Sequence, residues 1–296
     1  MCPDQLPSEE RALFVPDGDR FIPTPLSGGP WSPENQFGGS AAALLATVIE
    51  DLPTLVPQQV VRLTVDLLRP VPVQPITVEA RVVREGKRIQ VTEAAIIFDG
   101  VEVARCSALR MRIGDLGDLP VEQGEPQIGP PTGASRPEGP YDKSNPPGVA
   151  GAAHFTFESP DGFFVDPTWI RMRVPVVAGR ETQPLARLAF FADFASGIGH
   201  PRSLPVTGIN ADLNLNVVRY PTDEWLCLTG NGWTSPQGIG LSQAAISDSQ
   251  GVAASVSLSR LVDRTRPPSS AVIPKGKRFD GKRPERTAVD TADSPA

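Results

Sequence analysis

Apolar and polar residues follow the same plan twice along this chain: a continuous apolar stretch, then a series of alternating runs. In the first block, residues 40–51 are rich in Ala and Leu, contain no breaker and are apolar nearly all round until Glu50. That pattern predicts a buried helix with Gly39 or Ser40 near its N-cap and Pro53 closing it. Strand patterns follow at 60–68, 76–85, 88–99 and 101–113, separated by Glu85-Gly86-Lys87 and Asp99-Gly100. Asp-Gly between two apolar runs is a strong hairpin signal. In the second block, strand-like pieces at 155–157 and 169–174 come first, and Pro184 then opens a helix over 185–196, ended by Gly197 and Gly199. Strands are expected near 208–219, 224–233, 240–248 and 252–262. Residues 1–30 hold only short apolar pieces broken by Pro and Gly.

The repetition extends to individual residues. Leu67-Leu68-Arg69-Pro70 and Val217-Val218-Arg219-Tyr220-Pro221 lie 150 positions apart, as do Glu93-Ala94-Ala95-Ile96 and Gln243-Ala244-Ala245-Ile246. Two copies of one unit predict two similar domains, 1–113 and 151–264, packed as a pseudo-dimer with one working site. Between them, residues 114–150 are Gly-, Pro- and acid-rich and read as a linker. From 265 to 296 the chain reads as a disordered, solvated tail.

Composition narrows the function. At 296 residues and 40% apolar content the chain can bury two cores. A net charge of −6 with no basic stripe argues against nucleic acid. No apolar run approaches the roughly 18 residues of a membrane span, and the N-terminus has no signal-peptide pattern, so a cytoplasmic location is expected. Cys106 and Cys227 read as small core residues, and the two histidines, His154 and His200, are too few for a His-rich metal site. No metal or cofactor is implied. A Gly-x-Ser-x-Gly elbow and a phosphate-binding Gly-rich loop are both missing.

One residue stands out. The run Leu185 to Phe194 is apolar except for Arg187 and Asp193, which are six positions apart and so on different helix faces. A carboxylate in a buried stretch needs a partner or a role. Asp193 is therefore a candidate catalytic group; alternatively it caps the following glycine turn or pairs with an arginine.

Four stretches together resemble the acyl-CoA thioesterase II family and its actinobacterial thioesterase-like relatives. They are Asn35-Gln36-Phe37-Gly38-Gly39; Leu67 to Pro70 with Val78 to Lys87; Asp99 to Arg105; and Ala192-Asp193-Phe194 with Asn210-Ala211-Asp212-Leu213 and Glu224-Trp225-Leu226. The resemblance implies an α+β fold, a tandem double hotdog with two antiparallel sheets each wrapped around a long central helix. It implies an acyl-CoA substrate and a hydrolytic water held by Asp, Thr and Gln. The Asp maps onto Asp193. Asn210 stands at the Thr position, and Leu258 or Ser259 at the Gln position. Ser259 shares a strand face with Ser255 and Ser257, any of which could hold water. The first half offers Ala and Leu where Asp193 would be, so no matching carboxylate is expected there. Phe37, Gly38 and Gly39 are candidate acyl-chain contacts, although glycine more commonly serves close packing. Two rival readings stand: a non-catalytic acyl-CoA or lipid binder, and an enoyl-CoA hydratase using Asp193 and His200. A homo-oligomer is compatible with all of these.

Overall fold

The computed structural model describes residues 11–29, 32, 34–118, 153–156, 167–198 and 206–264. The expected linker from residue 119 onward, the expected tail and His200 lie outside these residues.

The alternating runs of the first half form β3 (Gln58–Leu67), β4 (Ile76–Arg84), β5 (Ile89–Phe98) and β6 (Val101–Arg112). Two short strands not expected from the sequence, β1 (Phe14–Asp17) and β2 (Arg20–Pro23), add to the β4 edge. The Asp99-Gly100 hairpin turns with φ of 50° and 73°, the left-handed pair that a two-residue turn of this type requires. The second half supplies β7 (Ala153–Thr156), β8 (Thr168–Met172), β9 (Val206–Asn210), β10 (Asp212–Val217), β11 (Leu226–Thr234), β12 (Ile239–Asp248) and β13 (Gly251–Arg264).

All of these strands belong to one antiparallel sheet of 13 strands, ordered β1-β2-β4-β5-β6-β3-β10-β13-β12-β11-β8-β7, with β9 also on β13. The halves meet edge to edge through β3 and β10, so neither leaves that edge open. In this seam Thr64 pairs with Asn214, and these two residues are separated by the repeat offset itself. An approximate two-fold axis therefore passes between them.

The run 208–219, expected as one strand, breaks at Ala211 into β9 and β10. The break reverses the alternation. Asn210 turns inward with Gly208, whereas Asp212 and Asn214 turn outward while Leu213 and Leu215 turn in. The first half has the same irregularity at the equivalent place, between Val60 and Arg62.

Helix α1 (Gly38–Asp51) packs against β3 to β6 and against α2 (Pro184–Ala192). Every residue from Gly39 to Thr47 is buried, as expected for a helix apolar all round. Leu44, Leu45, Ile49, Phe190 and Phe191 are fully buried, each worth about 1.5–3 kcal/mol of apolar transfer. The second-half helix is not continuous over 185–196. It stops after Ala192, turns at Asp193 and Phe194, and resumes as the short α3 (Ala195–Ile198). In the same half, the part-buried Arg219 forms an ion pair with the buried Asp248, which also accepts the Thr222 N–H, and so ties the β10 exit to the β12–β13 turn.

Candidate active site

Pro184 at the first helical position fixes the start of α2, and nine residues later the helix ends at Asp193. The Asp193 backbone carbonyl is satisfied by the Ser196 N–H at 3.2 Å and the Ser196 hydroxyl at 2.8 Å. Its side chain is thus free to leave its own helix. It neither caps the following turn nor pairs with Arg187, whose guanidinium donates instead to the carbonyls of Asp223 and Pro221 at 2.8 and 3.0 Å.

The Asp193 carboxylate crosses to the start of α1. There Oδ2 accepts the Gly39 N–H at 3.0 Å. This explains why α1 begins at Gly38, earlier than the sequence suggested, with Phe37 as an N-cap that provides no side-chain bond. The cap acceptor comes from another helix. The glycines make the approach possible. A Cβ on Gly39 would lie 2.5 Å from the Phe190 carbonyl oxygen, and one on Gly38 would lie 3.0 Å from Asp193 Oδ2 and from Leu67. Gly38 and Gly39 thus serve close packing of α1 on α2, and the N-terminal dipole of a 14-residue helix points at the carboxylate.

Asn210 completes the constellation. Its Nδ2 donates to Asp193 Oδ1, with β9 presenting it inward because of the break at Ala211. Phe37 closes one side. Its ring lies 4.7 Å from that of Phe194 and 5.7 Å from that of Phe190. In this apolar surrounding Asp193 is only 2% exposed. Burial pushes its carboxyl pKa up to about 6, against the downward pull of the Asn210 and Gly39 hydrogen bonds. A carboxyl poised there is ionised at neutral pH yet basic enough to accept a proton.

Ser259 is not part of this group. It sits on the outward face of β13 together with Ser255 and Ser257, and its N–H and hydroxyl meet Asp212 at 2.6 and 3.3 Å. The alternation of β13 instead sends Leu258 and Arg260 inward, both buried, and Arg260 is the direct cross-strand neighbour of Asn210. Arg260 was missed in the sequence. One step of register from Ser259 would have found it. Burial lowers its pKa.

The first half carries Ala43 at the position equivalent to Asp193, but a half-buried carboxylate, Glu50, stands elsewhere on its helix. Glu50 lies in the last turn of α1, near Tyr220 and the Arg110 guanidinium, and burial raises its pKa. The sequence hid it because Glu50 marks the end of the apolar stretch and resembles a first solvent-facing residue.

Among the described residues, thirteen antiparallel strands carrying a few buried helices define the class. The same architecture is found in a hot dog fold protein from Alicyclobacillus acidocaldarius, at 19% identity and a TM-score of 0.64 over 86% of this chain and 97% of that one. It is found again in the acyl-CoA thioesterase II TesB2 of Mycobacterium marinum, at 16% identity and a TM-score of 0.59 over 90% of this chain and 99% of that one. These are likenesses of fold, and the class is that of the hotdog proteins. The profile of the acyl-CoA thioesterase N-terminal domain matches residues 27–111, and that of the acyl-CoA thioesterase C-terminal domain matches residues 128–259. The chain belongs to the acyl-CoA thioesterase family. No curated protein matches its sequence.

Proposed function

We propose that this chain is an acyl-CoA thioesterase that hydrolyses fatty acyl-CoA to the free acid and CoA, with Asp193 as the base that orients and deprotonates water. Family membership supports the reaction. The observation that carries the residue assignment is the Asp193 carboxylate, buried, raised in pKa to about 6 and fixed by Gly39 and Asn210.

In this scheme Asp193 takes a proton from water as the water oxygen bonds to the thioester carbon. The carbonyl electrons move onto oxygen, where the second Asn210 amide hydrogen and the α1 N-terminus offer positive charge. The oxyanion then reforms the carbonyl, the C–S bond breaks, and the leaving thiolate takes the proton back from Asp193. The products are a carboxylic acid and CoA thiol. No metal or organic cofactor enters the scheme.

The finer architecture belongs to the same reading. Residues 1–113 and 151–264 form two hotdog units, each half-sheet curved around its own helix, and their seam at β3–β10 supports this division. No helix among the described residues is long and apolar enough to cross a membrane.

The test is release of CoA thiol from acyl-CoAs of graded chain length, without added metal, across pH. Activity requires the ionised base, so kcat should rise with pH around a midpoint near 6 and level off above it. Thermal protection by acyl-CoA with no thiol released at any length would identify a binder and end the hydrolase reading.

A further inference from the structure

The two halves treat the outer face of the sheet, away from the helices, in different ways. On β3 to β6 that face presents Asp66, Glu79, Arg81, Glu93 and Arg105. Two cross-strand ion pairs organise them, Arg81 with Glu93 at 2.9 Å and Arg105 with Asp66 at 2.8 Å. The residues 150 positions further on are Asn216, Thr229, Asn231, Gln243 and Ser255. They keep the same register, with Asn231 opposite Gln243 and Asn216 opposite Ser255. Every charge of these two rows has become an amide or a hydroxyl.

Toward the β11–β12 turn the same face becomes apolar. Trp233 pairs with Leu241, Ile239 with Leu261, and Leu261 in turn with Ile209. All five are between 40% and 60% exposed, so four neighbouring strands share one open apolar cluster. Next to it Asn216, Trp233, Gln243 and Ser257 line a groove of about 450 Å³. Loss of charge around an exposed aromatic is the composition of an interface core, and an open apolar cluster marks a surface that is covered by a partner.

A second copy of this chain fits that surface. A two-fold interface sets one patch against itself, so a patch without charge closes with no buried ion left unpaired. The chain's own segments 119–152 and 265–296 both carry acidic and basic side chains, for which these rows offer no partner. The patch spans about 15 Å across four strands and about 20 Å along β13; with its marginal side chains it approaches the ~800 Å² per partner of a standard interface.

We propose that the outer face of β9 to β13 is the interface of a homodimer, in which two copies pack sheet against sheet around Trp233 and Gln243. The proposal is independent of the hydrolytic reading, since the Asp193 site lies on the helix-covered face.

Sedimentation velocity on the full chain, from about 1 to 100 µM, tests it. Wild type should sediment as a dimer. Ser255→Arg and Gln243→Glu each restore the charged residue type that the first half carries there, and each should weaken dimerisation at least about tenfold by leaving a charge unpaired in the interface. Circular dichroism checks that both remain folded; should Ser255→Arg fail to fold, Gln243→Glu and Leu241→Ser carry the test. Glu93→Gln and Arg105→Ser, on the first-half face, should leave the dimer as it is. A wild type that stays monomeric overturns the proposal. In that case the labelling rate of a Gln243→Cys thiol tells a bare face, labelled fast, from one covered by the chain's own segments, labelled slowly. A dimer unmoved by the second-half substitutions, or weakened equally by the first-half ones, overturns the proposal as well.

Discussion

Replacing Asp193 by Asn tests both halves of its assignment, because the two substitution effects have different pH dependence. The carboxyl titrates at 3.8 in its ordinary state and at about 6 in the fold. About two units at roughly 1.4 kcal/mol each amount to about 3 kcal/mol. The sign follows from linkage. A folded pKa above the unfolded one means that the folded state binds the proton more tightly. Protonation therefore stabilises the fold at acid pH, and that contribution fades as pH rises through about 6. About 2 kcal/mol of it disappears between about pH 4.5 and 8. An Asn at this position does not titrate and lacks the component altogether.

The local contacts of the variant are nearly preserved. The new amide oxygen can accept the Gly39 N–H, and its NH2 can donate to Asn210 once that amide turns over. At about pH 8 the variant should therefore lie within about 1–2 kcal/mol of wild type. Urea unfolding followed by tryptophan fluorescence at about pH 4.5, 6 and 8 measures the difference. The variant should gain about 2 kcal/mol on wild type over that range. A stability difference that stays constant with pH would refute the raised, buried carboxyl. Thiol release should fall by about 10²–10⁴ at every pH. A variant as fast as wild type would make Asp193 purely structural.

Two further substitutions probe the geometry. Ser259→Ala removes an outward hydroxyl whose partner is Asp212, so thiol release should stay within about twofold of wild type; a tenfold loss would place Ser259 at the site after all. Gly39→Ala brings a Cβ to 2.5 Å from the Phe190 carbonyl oxygen, backbone that cannot rotate away. It should destabilise by about 1–3 kcal/mol and reduce kcat as the Gly39 N–H leaves Asp193; a variant with unchanged melting temperature and rate would show that the helices do not meet this closely.

The repeated helix and strand patterns were legible because they depend on periodicity, which single residues disturb little. The β3–β10 seam satisfies two open edges of equivalent strands with each other, but periodicity alone does not say which edges meet. Asp193 was legible as an exception to an apolar helix. What escaped the sequence depended on local departures from periodicity. The irregularity at Ala211 decides that Asn210 faces in and Asp212 faces out, and nothing in Asn210-Ala211-Asp212 signals it. The placement of Ser259 failed for a related reason. Its strand face was correctly grouped with Ser255 and Ser257, but which face meets the helices depends on register. Glu50 escaped because part of what covers it, including Tyr220, lies in the other half of the chain.

The approximate two-fold axis also shows how duplication produces asymmetry with few changes. Arg110 and Arg260 occupy equivalent places in the repeat, and both are buried. Gln90 and Gly240, their cross-strand neighbours on β5 and β12, differ, so the first half supplies a side-chain acceptor to its arginine where the second has only a glycine. The residue facing each arginine on the other side differs as well: Val60 in the first half, Asn210 in the second. Val60 has no side-chain donor for a carboxylate, and the Tyr220 hydroxyl reaches across from the second half to accept its N–H. Asn210 donates to Asp193 directly and retains another amide hydrogen. Glu50 thus has a guanidinium and a phenol near it. Asp193 instead meets the Asn210 side-chain amide and the Gly39 N–H among aromatic rings. The repeat therefore places different polar groups around its two equivalent arginines, and only the second half turns in an amide, Asn210, that meets the Asp193 carboxylate.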